Sequence, residues 1–157
     1  MLVKKLMTKR VAVCAATDTL NQAARIMWEA DCGFLPVVNH DSRVAGVITD
    51  RDICMAAYTQ GVPLHASLVS SAMSHAVQSC SPEDDVEDAE LLLRRHQLRR
   101  LPVIDAESRL CGVITLGDFA RSSQSNALRK TLTGARLAKT MASICEVRAR
   151  SAANAAE

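Results

Sequence analysis

Apolar positions along this chain change spacing in a fixed order, and the order occurs twice. Val11-Ala-Val-Cys14 is a short β-type run, after which Leu20, Ala23, Ala24 and Met27 follow at the three-and-four spacing of one apolar helix face. Thr17-Asp18 offers capping oxygens ahead of that helix, and Gly33 ends it as a residue free to take positive φ. Leu35-Pro-Val-Val-Asn39 and Val44-Ala-Gly-Val-Ile-Thr49 read as strands joined by the polar turn His40-Asp-Ser-Arg43. A second helix starts around Asp50 and runs toward Tyr58, with Ile53, Met55, Ala56 and Ala57 as its apolar content. The predicted order is strand, helix, strand, strand, helix.

The same order returns at a constant offset of 66 residues: Met7, Asp18, Ala23, Leu35-Pro36-Val37, Ser42-Arg43 and Gly46-Val-Ile-Thr49 recur as Met73, Asp84, Ala89, Leu101-Pro102-Val103, Ser108-Arg109 and Gly112-Val-Ile-Thr115. In the second unit Ser81-Pro82-Glu83-Asp84 supplies an N-cap serine, a proline at the first helical position and first-turn acids, ahead of Val86, Ala89, Leu92, Leu93 and His96. Two copies of one small unit, each too small to bury its apolar face alone, are expected to pack on each other. The linker Gly61-Val-Pro-Leu-His-Ala-Ser67 is too short to hold them apart.

Composition limits the picture. With 157 residues, 48% hydrophobic and 23% charged, the chain is an ordinary globular protein with room for one compact domain and an appendage. One Trp, one Tyr and two Phe leave the core aliphatic and remove the stacking platforms that single-stranded nucleic acid binders use. The basic start Met1-Leu-Val-Lys-Lys-Leu-Met-Thr-Lys-Arg10 precedes no apolar stretch of signal-peptide or transmembrane length, so a cytoplasmic protein is expected. The six cysteines include no Cys-x-x-Cys pair and no Cys/His cluster of zinc spacing, so no metal site is expected. Cys14 and Cys80 are equivalent under the repeat. They read either as two core positions filled alike or as a thiol pair brought together across a pseudo-twofold axis.

The repeated heptad carries the candidate chemistry. Thr49 and Thr115 stand where a strand becomes a helix, so that a hydroxyl and free backbone N–H groups can meet a phosphate. Asp52 and Asp118 follow in the first turn, where a carboxylate can accept two hydrogen bonds from a ribose diol. The same Thr-x-x-Asp is also a capping box, which the helix needs with or without a ligand. The two uses are compatible.

Met-Thr, a Thr-Asp helix start, Gly-x-Leu-Pro-Val-Val and Gly-Val-Ile-Thr-x-x-Asp together resemble a tandem pair of CBS domains, the modules named after cystathionine β-synthase, over about residues 1 to 121. Thr49-Asp50-Arg51-Asp52 and Thr115-Leu-Gly-Asp118 resemble the stand-alone bacterial type. The resemblance implies an α+β fold of two β-α-β-β-α repeats about a pseudo-twofold axis, with two clefts that bind AMP, ADP, ATP or another adenosyl compound such as NAD or S-adenosylmethionine. No cofactor is obligatory. It also implies that Met7 to Val11 and Met73 to Val77 line the adenine side of each cleft, and that a His or Arg three residues before the repeated proline clamps phosphate. Arg99 holds that position in the second unit, where the first has Gly33; Arg51 in turn stands opposite Gly117. Two unequal sites are expected.

Residues 122 to 157 lie outside the template and carry six basic side chains against Glu146 and Glu157. Leu128, Leu132, Leu137, Met141, Ile144 and Cys145 are spaced for an amphipathic helix broken near Gly134, expected to dock on the core or across a dimer, with an acidic partner or nucleic acid as the alternative. The chain divides into a first repeat (1–60), a linker (61–67), a second repeat (68–124) and a helical tail (125–157). No catalytic constellation stands out. The reading is a ligand-sensing regulatory module, a homodimer acting on another protein through a partner contact or a change of assembly. The alternatives are a structural module with empty clefts and a thiol stress sensor.

Overall fold

The computed structural model describes residues 1–123 and 133–147. Each repeat is built around a helix, an antiparallel hairpin and a second helix. In the first these are α1 (Leu20–Glu29), β1 (Phe34–Val38), β2 (Val44–Thr49) and α2 (Asp50–Gln60); in the second, α3 (Val86–His96), β3 (Arg100–Ile104), β4 (Leu110–Thr115) and α4 (Leu116–Ser123). The hairpins keep one register, Pro36 opposite Val47 and Pro102 opposite Val113, with a bulge at the same place in each. The turns are alike because Ser42 and Ser108 take left-handed φ of 60° and 64° while Asn39 and Asp105 accept the turn N–H groups.

Four local expectations change. The first strand of each repeat is present only as a single parallel bridge, Cys14 to Val37 and Cys80 to Val103. Asp18 does not cap α1: its carboxylate closes a turn on the Ala15 N–H at 2.7 Å, and Thr19 with Gln22 forms the capping box instead. Ser81-Pro82 likewise belongs to a turn closed by Asp84, and α3 starts later, at Val86. Gly33 does not take positive φ. The left-handed residue after α1 is Asp31 (φ 47°), and its counterpart after α3 is Gln97 (φ 51°).

The repeats exchange their leading segments. Val3 donates its N–H to Asp84 O and is buried in the core of the second repeat with Leu93, Leu101 and Phe119. Val69 donates to Asp18 O and is buried in the core of the first with Leu20, Leu35 and Ile48. Thr8 pairs with Val113 on β4, while Ser74 pairs with Val47 on β2. Between these, the two hairpins meet at Arg43 and Arg109 through reciprocal bonds, Val44 N–H to Ser108 O (3.0 Å) and Leu110 N–H to Ser42 O (2.9 Å). Every one of these pairs has its mate at the repeat offset, which is the pseudo-twofold relation.

The tail contributes α5 (Gly134–Cys145), started by Thr133 as N-cap. It docks on the second repeat by burying Leu137, Thr140 and Ile144, while Met141 and Cys145 face solvent. Leu128 and Leu132, and the arginines at 129, 148 and 150 with Lys130, lie outside the described residues.

Candidate functional site

Both strand-to-helix junctions carry a capping box of the same geometry. Thr49 Oγ1 accepts the Asp52 N–H (3.2 Å), and Asp52 Oδ2 accepts both the Thr49 N–H (2.9 Å) and the Thr49 hydroxyl (2.6 Å). Thr115 and Asp118 repeat this at 2.8 Å for both bonds to Asp118 Oδ2. The box satisfies first-turn donors and fixes each carboxylate beside a helix N-terminus. Only one oxygen of each aspartate is consumed by it.

The second oxygen distinguishes the repeats. Asp118 Oδ1 is held by Arg121 Nη2 at 2.5 Å, and the aspartate is buried. The residue of α2 equivalent to Arg121 is Met55, and Asp52 Oδ1 has no hydrogen-bond or ionic partner among the described residues. Sequence reading missed Arg121, although its three-residue spacing from Asp118 on one helix was the available signal.

The two basic candidates sit differently. Arg51 and Arg99 are exposed, and neither guanidinium has a polar partner among the described residues. Arg99 and Gly33 occupy one backbone position, accepting the Leu116 and Asp50 N–H groups respectively. Side chains part them: a Cβ at Gly33 would lie 2.5 Å from Asp50 Oδ2, whereas Leu116 takes that place beside Arg99. A side chain at 33 would push the Asp50 carboxylate aside, and glycine leaves it in place. Arg100, rather than Arg99, reaches the other repeat, with its guanidinium 5.9 Å from the centre of the Phe34 ring, its own repeat counterpart.

Val11 and Val77 lie half-buried on the two crossing segments. Residues 8 to 14 run from Val113 on β4 to Val37 on β1, and residues 74 to 80 from Val47 on β2 to Val103 on β3. Gly46 and Gly112 make the crossings possible. A Cβ on Gly46 would meet Ser74 O at 2.8 Å, and one on Gly112 would meet Thr8 O at 2.5 Å. These glycines serve backbone approach.

Cys14 and Cys80 fall in separate cores and are buried, so the axis does not bring them together. Burial, reinforced by Asp18 and Asp84, pushes both thiols up to about 12. They are protonated, poor nucleophiles at neutral pH. Among the described residues no group of three His, Cys, Asp or Glu side chains could hold a metal ion, and no helix is long and apolar enough to cross a membrane.

A family model, CBS domain, matches residues 3–58 and 69–125. The chain is 38% identical over 124 residues to the CBS domain-containing protein YhcV of Bacillus subtilis, covering 79% of this chain and 86% of YhcV. It is 30% identical over 125 residues to hypoxic response protein 1 of Mycobacterium tuberculosis, covering 80% of this chain and 87% of that protein. Among solved structures it is similar to CBSX2 in complex with AMP, with a TM-score of 0.70 and 26% identity over 78% of this chain and 95% of that one.

Proposed function

This chain belongs to the CBS domain family, and we propose that it is a ligand-sensing regulatory module that takes an adenosine nucleotide or related adenosyl compound in clefts between its repeats. The observation that carries this reading is the Thr49–Asp52 junction, where one carboxylate oxygen is fixed by the capping box and the other has no partner among the described residues. That open oxygen suits a ribose diol, while the helix N-terminus with Arg51 suits a phosphate. The similarity to CBSX2, solved with AMP, supports an adenosine compound over simple phosphate.

The first-repeat site fills before the second, because a ligand at Asp118 must displace Arg121. Val77 and Val11, on the crossing segments, flank the adenine, and Arg99 adds positive charge for a phosphate at the second repeat. The module is cytoplasmic and acts without catalysis or a metal. Its output passes through another chain or a change of assembly, with a homodimer as the working form. A thermal-shift screen of AMP, ADP, ATP and S-adenosylmethionine tests the reading, since a ligand that binds only the folded chain raises its Tm. A rise with at least one of them is expected. No shift with any of them would leave a structural module with empty clefts.

A further inference from the structure

The tail helix α5 and the end of α3 enclose a groove whose walls are polar throughout. Arg94, Arg95 and Gln97 line it from α3 and its C-cap, and Lys139, Ser143 and Glu146 from α5 and its C-cap, around a volume of about 470 Å³. The walls are fixed to each other: Gln97 Nε2 donates to Ser143 O (3.1 Å) and Glu146 O (3.3 Å), and Ser143 Oγ donates to Arg94 O (3.4 Å). The side chains of Arg94, Arg95 and Lys139 have no hydrogen-bond or ionic partner among the described residues, and Glu146 is the one acid among those lining the groove. The nearby acids Glu87 and Glu90 are taken by Arg136, at 2.8 Å each.

Cations in the last turn of a helix complement its dipole, but the fold does not demand them here. The repeat offset places Trp28, Glu29 and Asp31 where the second repeat has Arg94, Arg95 and Gln97, and α1 has no basic side chain in its last turn. The positive charge therefore belongs to the repeat that carries α5. Three cations around one groove repel each other, and an anion seated between them removes that repulsion. Arginine forks take carboxylates through two parallel hydrogen bonds, and a lysine adds a point charge beside them. No apolar side chain lines the groove for a lipid chain, and no aromatic ring lines it to stack a base. Its size suits a few acidic side chains of an extended peptide.

We propose that the groove between α3 and α5 seats an acidic segment of a partner protein, with its carboxylates on Arg94, Arg95 and Lys139. Two of these cations come from α3 and one from α5, so the segment bridges the tail to the second repeat and binds best while α5 is docked. By linkage, the bound partner holds α5 in place. This contact stands independently of whether the clefts bind a nucleotide.

Fluorescence anisotropy of a fluorescein-labelled hexaglutamate peptide with the full chain tests this, with labelled decathymidylate as the nucleic-acid probe. The peptide is expected to bind, about tenfold more weakly to Arg95→Glu and to Lys139→Glu, the value of one lost charge-assisted hydrogen bond, and more tightly to Glu146→Gln. Arg95 and Lys139 are exposed, so the Tm of both variants is retained. Arg43→Glu makes the same change of charge on the exposed hairpin turn of the first repeat and leaves binding nearly as it was. Hydrogen exchange in α5 slows when the peptide is bound. Absence of peptide binding, an equal loss in Arg43→Glu, tighter binding of decathymidylate than of the peptide, or α5 exchange unchanged by bound peptide would overturn the proposal.

Discussion

Arg121 closes on Asp118 at 2.5 Å, taking the carboxylate oxygen that the capping box with Thr115 leaves over. In the first repeat Met55 stands at the equivalent position, and the matching oxygen of Asp52 has no partner among the described residues. The arginine side chain is 74% exposed, so the pair is screened and can be displaced. Arg121→Met is expected to strengthen adenosine binding at the second repeat by about fivefold, the value of one well-placed ion pair. Met55→Arg should weaken binding at the first. Isothermal titration of both variants checks the two directions, and unchanged affinities would remove Arg121 from the account.

The crossing of the leading segments rests on glycine. At Gly112 an added Cβ meets the Thr8 carbonyl at 2.5 Å, which is backbone and yields only if the segment shifts. Gly112→Ala is expected to cost about 1–3 kcal/mol, the range for overpacking a tight site. Gly117→Ala, by contrast, meets the mobile end of Arg121 at 3.3 Å and should be close to neutral. Urea unfolding of the two variants separates these outcomes.

The tail helix is held through a buried charge. Glu90 is fully buried, with Arg136 at 2.8 Å and the Thr140 hydroxyl bonded to its other oxygen. Arg136→Ala leaves that carboxylate without its cation and is expected to destabilise the fold by about 3 kcal/mol. Glu90→Gln/Arg136→Met should lose much less, since neither an uncompensated charge nor a cavity remains. Chemical denaturation reads both, and hydrogen exchange along α3 reports whether α5 detaches first.

What the sequence made legible was local. The three-and-four spacing of Leu20, Ala23 and Met27 marked α1, and the apolar run before Thr49 marked β2, because helix faces and buried strands write their periods directly into the chain. The caps were harder. Asp18 and Ser81 looked like helix starts but close turns first, since short polar side chains compete for nearby N–H groups. Thr49 with Asp52 was readable as a pair, whereas the exchange that puts Val3 in the second core was not. It depends on contacts between distant segments that leave no period. The groove between α3 and α5 was hidden for the same reason, being formed only where α5 is seated on the second repeat.

The buried thiols give the fold a pH dependence on the alkaline side. Folded, Cys14 and Cys80 stay protonated up to about 12, whereas in the unfolded chain they ionise near the ordinary 9.0. The unfolded state therefore releases protons first, so stability is fully present below pH 9 and is lost as pH rises from there toward 12. Cys14→Ala/Cys80→Ala should flatten this slope while lowering stability at neutral pH. Urea midpoints measured at pH 8 and pH 10 check the difference in slope.

Titration calorimetry of AMP into the wild type, Asp52→Ala and Asp118→Ala chains tests the central claim most directly. Two unequal sites are expected in the wild type, with the tighter one lost in Asp52→Ala and the weaker one lost in Asp118→Ala. Two sites of equal affinity, or AMP binding untouched by either substitution, would contradict it.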